Sequence, residues 1–361
     1  MIKQIGRHTL EFTNRPRIIG FGSVVGKKEG EGPLKEWFDK ICYDTTMGDK
    51  TWEQAESLLQ CEAVSTALGK SLLKKEMIDY IFAGDLLNQC VSSSYGLRDF
   101  DIPFLGQYGA CSTMAQTISM ASVFAESGAA NACVAVTSSH FCSAERQFRF
   151  PLQYGGQRTP TAQWTVTGSG SVVVGAYENG NFKVGNELVC PKGTAEELRE
   201  KALISVEHIC TGRIVDMGIT DANNMGAAMA GAAADTIYRF LDDTQTSYSD
   251  YDLIITGDLG QVGTELLYDL LNREGLDIKD KHRDCGLMIF NREEQDVHSG
   301  GSGCGCSGSV LCSYFLKNMQ FREYNNILFV ATGALMSPTV VQQGESIPGV
   351  AHLVHFVNSE K

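Results

Sequence analysis

Two stretches of this chain, Asp79–Asn88 (DYIFAGDLLN) and Tyr251–Gly260 (YDLIITGDLG), are built alike. Each is an apolar, β-favouring run that ends in Gly-Asp-Leu, the pattern of a buried strand entering a turn. They lie about half a chain apart, and each follows a helical pattern. Upstream of the first is Thr51–Leu68, with Gln54 three residues after Thr51 as a capping box and Gly69 as the expected stop. Upstream of the second is Asn224–Leu241, whose GAAMAGAAAD face is small enough for close helix packing. A duplicated α/β unit accounts for both copies. The expected boundary is the polar turn Glu178–Gly185, giving halves 1–180 and 181–361.

Further strands are expected at Ile18–Phe21, Ala132–Thr137, Ser171–Tyr177, Leu287–Phe290, Ile327–Thr332 and Ala351–Val357. Strands alternating with helices imply mainly parallel sheets covered by helices. The first residues and Lys27–Gly32 are expected to be mobile. At 361 residues and 43% hydrophobic content the chain can bury a large core, and its length suits two fused halves. A net charge of -13 argues against nucleic-acid binding and against adhesion to an anionic lipid surface. No apolar run is long enough to span a bilayer, and the start MIKQIGRHTLEFTNRPRI lacks a signal-peptide core. A soluble intracellular protein is expected, its 12 cysteines reduced and mostly buried.

One cysteine stands apart. Ser112–Glu126 has the apolar spacing of a buried helix ended by Gly128, which places Cys111 at or just before the first turn. Unpaired N–H groups and the positive end of the helix dipole lower a thiol's pKa at such a place and can hold an oxyanion or a carboxylate. On position alone, a small buried residue at a tight helix start is the better explanation.

The stretch YGACSTMAQTISMASVFAESGAANACVAVTSS (residues 108–139) resembles the nucleophile segment of the thiolase and ketoacyl-synthase superfamily. RTPTAQWTVTGSGSVVVG (158–175) resembles that family's glycine-rich strand closing the first half, and HSGGSGCGCSGSVL (298–311) resembles its histidine-bearing turn. The resemblance covers almost the whole chain. It implies a thiolase-like duplicated fold, two pseudo-symmetric halves with mixed sheets layered with helices (αβαβα). It also implies Cys111 as the acyl acceptor, His298 as the family's histidine, and a homodimer. The chain departs from the pattern where it matters for chemistry. Gly257 and Asp258 stand where family enzymes carry Asn or His, and an anion there opposes an oxyanion. Ala331, Thr332 and Gly333 stand where thiolases carry a second cysteine.

The same stretches, with GITDANNMGAAMAGAAADTI (218–237) and GDLGQVG (257–263), resemble a sporulation branch of this superfamily. That resemblance implies binding of dipicolinic acid (pyridine-2,6-dicarboxylate) for uptake into the developing spore, beside membrane proteins of the same transport system. A cytoplasmic subunit held peripherally at the forespore or spore inner membrane is then expected. The planar dianion needs donors and an apolar slot. Candidates are the N–H groups of Cys111 and Ser112, with His140, Arg149 and Arg158 among Phe148, Phe150 and Tyr154, and with Gly257, Asp258 and His298. The alternative is an acyl-transferring enzyme with Cys111 as nucleophile and His298 as acid/base. No cofactor is expected. No metal is expected either, since Cys304 and Cys306 lack paired Cys-x-x-Cys spacing and His352 and His355 read as structural.

Overall fold

The computed structural model describes residues 1–148, 158–178, 181–182 and 204–358. Thirteen strands among the described residues form the main sheet. They are β1 (Ile2–Ile5), β2 (Thr9–Phe12), β3 (Arg17–Gly26), β4 (Lys40–Cys42), β5 (Tyr80–Gly84), β6 (Phe104–Gly106) and β7 (Ala132–Ser139). The rest are β8 (Gly168–Gly175), β9 (Ile204–Cys210), β10 (Leu253–Thr256), β11 (His282–Asp284), β12 (Asn326–Ala334) and β13 (Gly349–Asn358). The six helices that matter for the site are α1 (Trp52–Ser71), α2 (Thr113–Ser127), α3 (Phe141–Phe148), α4 (Met225–Thr244), α5 (Gly260–Arg273) and α6 (Cys304–Val310).

The strand order β6-β5-β7-β8-β3 is answered by β11-β10-β12-β13-β9. In both sets the first three strands are parallel and the next two pairings antiparallel. The two Gly-Asp-Leu runs are the matching strands β5 and β10, each buried along its apolar residues. The sets meet where Ser205 on β9 pairs with Arg17 on β3. The boundary expected near residue 180 falls where 179–180 and 183–203 lie outside the described residues.

α2 packs on β5, β7 and β8 of one set and on β12 and β13 of the other, so it is buried between layers. Met114, Ile118 and Ala121 face the same core as Phe329 and Phe356. Thr51 caps α1, its Oγ1 accepting from Gln54 N at 3.3 Å. The helix runs through the expected stop at Gly69 and ends at Ser71, with Leu72 in the left-handed region at φ 62°. Asn224 caps α4, and the small-residue face allows close packing as expected. A Cβ added to Gly226 would lie 2.5 Å from the Leu259 carbonyl at the start of α5.

Three expectations are corrected. Leu287–Phe290 is not a strand, because Asp284 caps a helical turn at Cys285–Met288, its Oδ1 accepting from Leu287 N at 3.1 Å. The first residues form the β1–β2 hairpin, whose turn is tied down by Asp243 accepting from the N–H groups of Arg7 and His8 and from Thr9 Oγ1. Lys27–Gly30 forms a helical turn, held by the buried Glu29 carboxyl accepting from Thr167 N at 2.9 Å. Among the described residues, no helix is long and apolar enough to cross a membrane.

Candidate functional site

Cys111 lies in a tight turn just before α2. Ala110 sits at φ 49°, a left-handed conformation that costs an L-residue energy unless its surroundings enforce it. Here Ser112 Oγ donates to the Gly109 carbonyl and Thr113 Oγ1 to the Ala110 carbonyl, both at 2.6 Å. Gly333 on β12 presses on this turn from the other half, and a Cβ there would lie 2.4 Å from the Gly109 carbonyl. The Ser112 N–H, expected to receive a carboxylate, instead donates to Gly109 O at 3.0 Å.

The turn after β10 brings Asp258 to the thiol. Its carboxylate is fully buried and accepts from Gly303 N at 2.7 Å, Ser302 Oγ at 3.1 Å and Thr332 Oγ1 at 2.8 Å. Cys111 completes its surroundings as a further donor. Burial raises the Asp258 pKa to about 6, with these hydrogen bonds pulling the other way. Burial, then the Asp258 charge, drives the Cys111 pKa well above its ordinary value. Ser302 Oγ is 3.9 Å from Cys111 Sγ and gives its own proton to Asp258, so the thiol is left to donate. This is the reverse of an activated cysteine, which needs a cation or N–H groups to stabilise the thiolate. Proton transfer to Asp258 would leave a buried thiolate beside a neutral acid, with no ion pair formed.

Two further groups fix this arrangement. Gln163 Nε2 donates to the carbonyls of Asp258 and Gly301, at 2.7 and 2.8 Å. Asp284 accepts from Thr256 Oγ1 and from the N–H groups of Leu259, Gly260 and Leu287, and burial raises its pKa to about 7. Gly257 closes β10 against β12, donating to the Val330 carbonyl at 3.0 Å.

Cys111 opens onto a cavity whose empty space, open mouth included, is about 470 Å³. Its walls are largely apolar, from Leu86, Phe148, Met225 and Met336, with hydroxyls from Tyr108, Thr165 and Ser302. Among its described lining residues Glu145 is the one acid and none is a lysine or arginine. An apolar lining with a few placed hydroxyls has the character of a small-molecule site.

The sequence candidates divide between this cavity and a second region. Of the candidates, Cys111 lines the cavity, while Asp258 is buried behind the thiol and Ser302, and Ser112 and Gly257 lie in the backbone turns beside it. His140 is not among them, because its buried ring donates from Nε2 to the Thr45 carbonyl at 2.8 Å and accepts at Nδ1 from Cys142 N. It lines another cleft, of about 930 Å³, with Lys28, Phe141 and Trp164. Phe141 stacks on Trp164 at 3.8 Å, and Arg158 lies over the same indole at 4.6 Å. Arg158 pairs with Asp296 at 2.9 Å, and Asp296 also holds His298 Nε2 at 3.1 Å. His298 is thus partnered at the surface, and the member of its glycine-rich turn that reaches Cys111 is Ser302. Arg149, Phe150 and Tyr154 lie outside the described residues. Cys304 and Cys306 are fully buried, their thiols directed at the carbonyls of Ser138 and Gly257. All eleven described cysteines are free.

Sequence reasoning missed Ser302, Thr332 and Gln163. All three stood inside stretches singled out for other residues, and only the packing of the two halves shows that they converge on Asp258.

Comparison with solved structures finds the same fold over nearly the whole chain. Acetyl-CoA acetyltransferase from Syntrophomonas wolfei aligns with a TM-score of 0.60 and 10% identity, covering 96% of this chain and 100% of that one. Cerulenin-bound OleA of Xanthomonas campestris gives 0.60 and 12%, covering 99% and 98%. The 3-oxoacyl-[acyl-carrier-protein] synthase III of Aquifex aeolicus VF5 gives 0.57 and 13%, covering 95% and 99%. At these identities the likeness is one of fold, which is thiolase-like. The sequence likeness is of another order: stage V sporulation protein AD of Bacillus subtilis (strain 168) is 42% identical over 355 residues, 98% of each chain. The family model for stage V sporulation protein AD (SpoVAD) matches residues 6–357, and the chain belongs to that family.

Proposed function

We propose that the chain binds dipicolinic acid for its uptake into the developing spore, with the thiolase-like cavity kept for holding this ligand rather than for condensation. The observation that carries the reading is Asp258 against Cys111, which keeps the sulfur protonated and opposes an oxyanion beside it. The cavity at Cys111 receives the pyridine ring between Leu86, Phe148, Met225 and Met336, while the hydroxyls of Tyr108, Thr165 and Ser302 meet the carboxylates. Because Asp258 titrates at about 6, the dianion binds more tightly as pH falls through that value.

A second copy covers the edge strand β6, whose Phe104 and Leu105 are exposed beside Tyr108. Such an apolar edge supports the homodimer, in which Tyr108 carries the interface to the cavity. The chain reaches the forespore or spore inner membrane through membrane proteins of the same transport system.

Calorimetric titration with dipicolinic acid, a monocarboxylate analogue and acetyl-coenzyme A tests this reading. Saturable binding of the diacid alone is expected, lost in Ala144→Trp, which fills the cavity, and kept in Arg158→Gln. The converse pattern would move the ligand to the Trp164 cleft, where Lys28 and Arg158 supply cations. The competing reading, acyl transfer, has in its favour that Cys111 begins a buried helix beside a cavity. Acetylation of Cys111 seen by intact mass would establish it in place of the binding reading.

A further inference from the structure

β9 carries an irregularity that re-aims its side chains. Its pairing with β13 runs Val206 to Phe356 and then His208 to His355, so Glu207 is an inserted residue. Side chains along a regular strand alternate between faces, but a bulge sets two neighbours against one partner residue. Glu207 and His208 are in this way both brought to His355. One ligand atom from each of the three lies within 4.8 Å of the other two.

The imidazoles are oriented as metal ligands are. His355 Nε2 lies 2.6 Å from Asn326 Oδ1, which can only accept, so the ring proton is on Nε2 and the Nδ1 lone pair is free. An outer hydrogen bond of this kind fixes the tautomer of a ligating histidine. That Nδ1 faces His208 Nδ1 at 2.9 Å, with the two rings near parallel at 9°. Without an ion, His208 donates its Nδ1 proton across this gap. With an ion, His208 carries its proton on Nε2 and both Nδ1 lone pairs point at the metal. Tetrahedral coordination with Zn–N bonds of about 2.0–2.1 Å separates ligand atoms by roughly 3.3 Å, so the gap opens by a few tenths of an ångström. Arg15 holds Glu207 Oε1, and Glu11 is paired opposite His208 on β2. Arg15 pairs with Glu207 and Lys3 with Glu11, so the surrounding charges balance and an ion would be held by its ligand atoms rather than by a net negative field. Glu207 and His208 are half-buried, which leaves a path from solvent to the three ligand atoms.

We propose that Glu207, His208 and His355 form a binding site for a divalent first-row transition metal of the zinc class, at the junction of β2, β9 and β13. Two imidazoles and one carboxylate are a known zinc donor set, and imidazole selects such ions over calcium or magnesium. The ion ties β9 to β13 across the bulge, beside the amino-terminal hairpin.

The test uses the full chain, stripped of metal and titrated with Co²⁺ and then Zn²⁺. One equivalent of Co²⁺ is expected to give visible d–d absorption without a near-ultraviolet thiolate charge-transfer band, and Zn²⁺ to displace it and raise the melting temperature. Glu207→Gln, which keeps the histidine pair, is expected to weaken binding at least ~10-fold. Asn326→Leu, which removes the orienting acceptor together with the Nδ2 bond to the Asp250 carbonyl, is expected to weaken it about 10–100-fold. His208→Gln should abolish it. Absence of a saturable Co²⁺ signal in the unaltered chain would overturn the proposal. So would a signal unchanged by Glu207→Gln and His208→Gln, or one carrying the thiolate band, which would place the metal on cysteines.

Discussion

The two Gly-Asp-Leu turns began as equivalents and now do different work. In the first half, Asp85 is consumed locally, accepting from Leu87 N at 2.9 Å and from Ser93 N and Oγ at 2.8 and 2.6 Å. In the second, Asp258 reaches beyond its own turn to Ser302, Gly303, Thr332 and Cys111. The helix starts diverge in the same way. Cys304 at the start of α6 is sealed in the core, whereas Cys111 before α2 faces a cavity whose wall includes Leu86 of the first turn. A duplicated fold can thus keep one copy as scaffold and turn the other on it to build a pocket.

The sharpest way to break this comparison is at the seam. Gly333→Ala forces a methyl into the Gly109 carbonyl, a backbone atom that cannot swing away, and should cost about 3 kcal/mol in denaturant unfolding. A loss below about 1 kcal/mol would mean the Cys111 turn is not clamped between the halves.

Next come the paired aspartates. Asp85→Asn and Asp258→Asn should each cost about 1–3 kcal/mol, since each leaves buried donors facing an amide. Only Asp258→Asn should speed alkylation of Cys111. Equal acceleration by both would erase the proposed difference.

Titration gives a smaller, shared effect. Burial lifts Asp258 to about 6 and Asp284 and Glu29 to about 7, against about 4 when unfolded. Between those limits the folded state holds more protons, so stability falls as pH rises from about 4 towards 7. Buried His208 and His352 are pushed down to about 4, so their contribution is lost as pH falls from about 6.5 towards 4. The acids and histidines largely offset each other between about pH 4 and 6.5, so melting temperature should change little there and fall from about pH 6.5 to 7, and a steady rise from pH 6 to 8 would contradict the buried-acid assignment. The smallest effect is expected from Cys111→Ala, which should leave the fold intact and weaken diacid binding less than ~10-fold.

Much of the fold was legible because it is written in local pattern. Both turns, the cap at Thr51, and α2 with its Gly128 stop follow from neighbouring residues. Leu287–Phe290 was misread because its apolar run says nothing of Asp284 capping it. The site was legible in part. Cys111 and Asp258 were found, each at the end of a patterned element. His298 came from the family resemblance of its turn, yet four residues along that glycine-rich stretch decide which side chain faces the thiol, and it is Ser302. Likewise His140 and Arg158 carry plausible chemistry, and only the path of the chain assigns them to the Trp164 cleft.

The central claim is that Asp258 holds Cys111 as a thiol. The pH dependence of Cys111 alkylation, followed by peptide mass spectrometry in the unaltered chain and in Asp258→Asn, tests it most directly. Cys111 should alkylate slowly, with an inflection above that of an ordinary thiol, and the substitution should move the inflection down. A Cys111 that reacts fast at neutral pH, with an inflection below about 8.5, would mean an activated nucleophile and contradict the account.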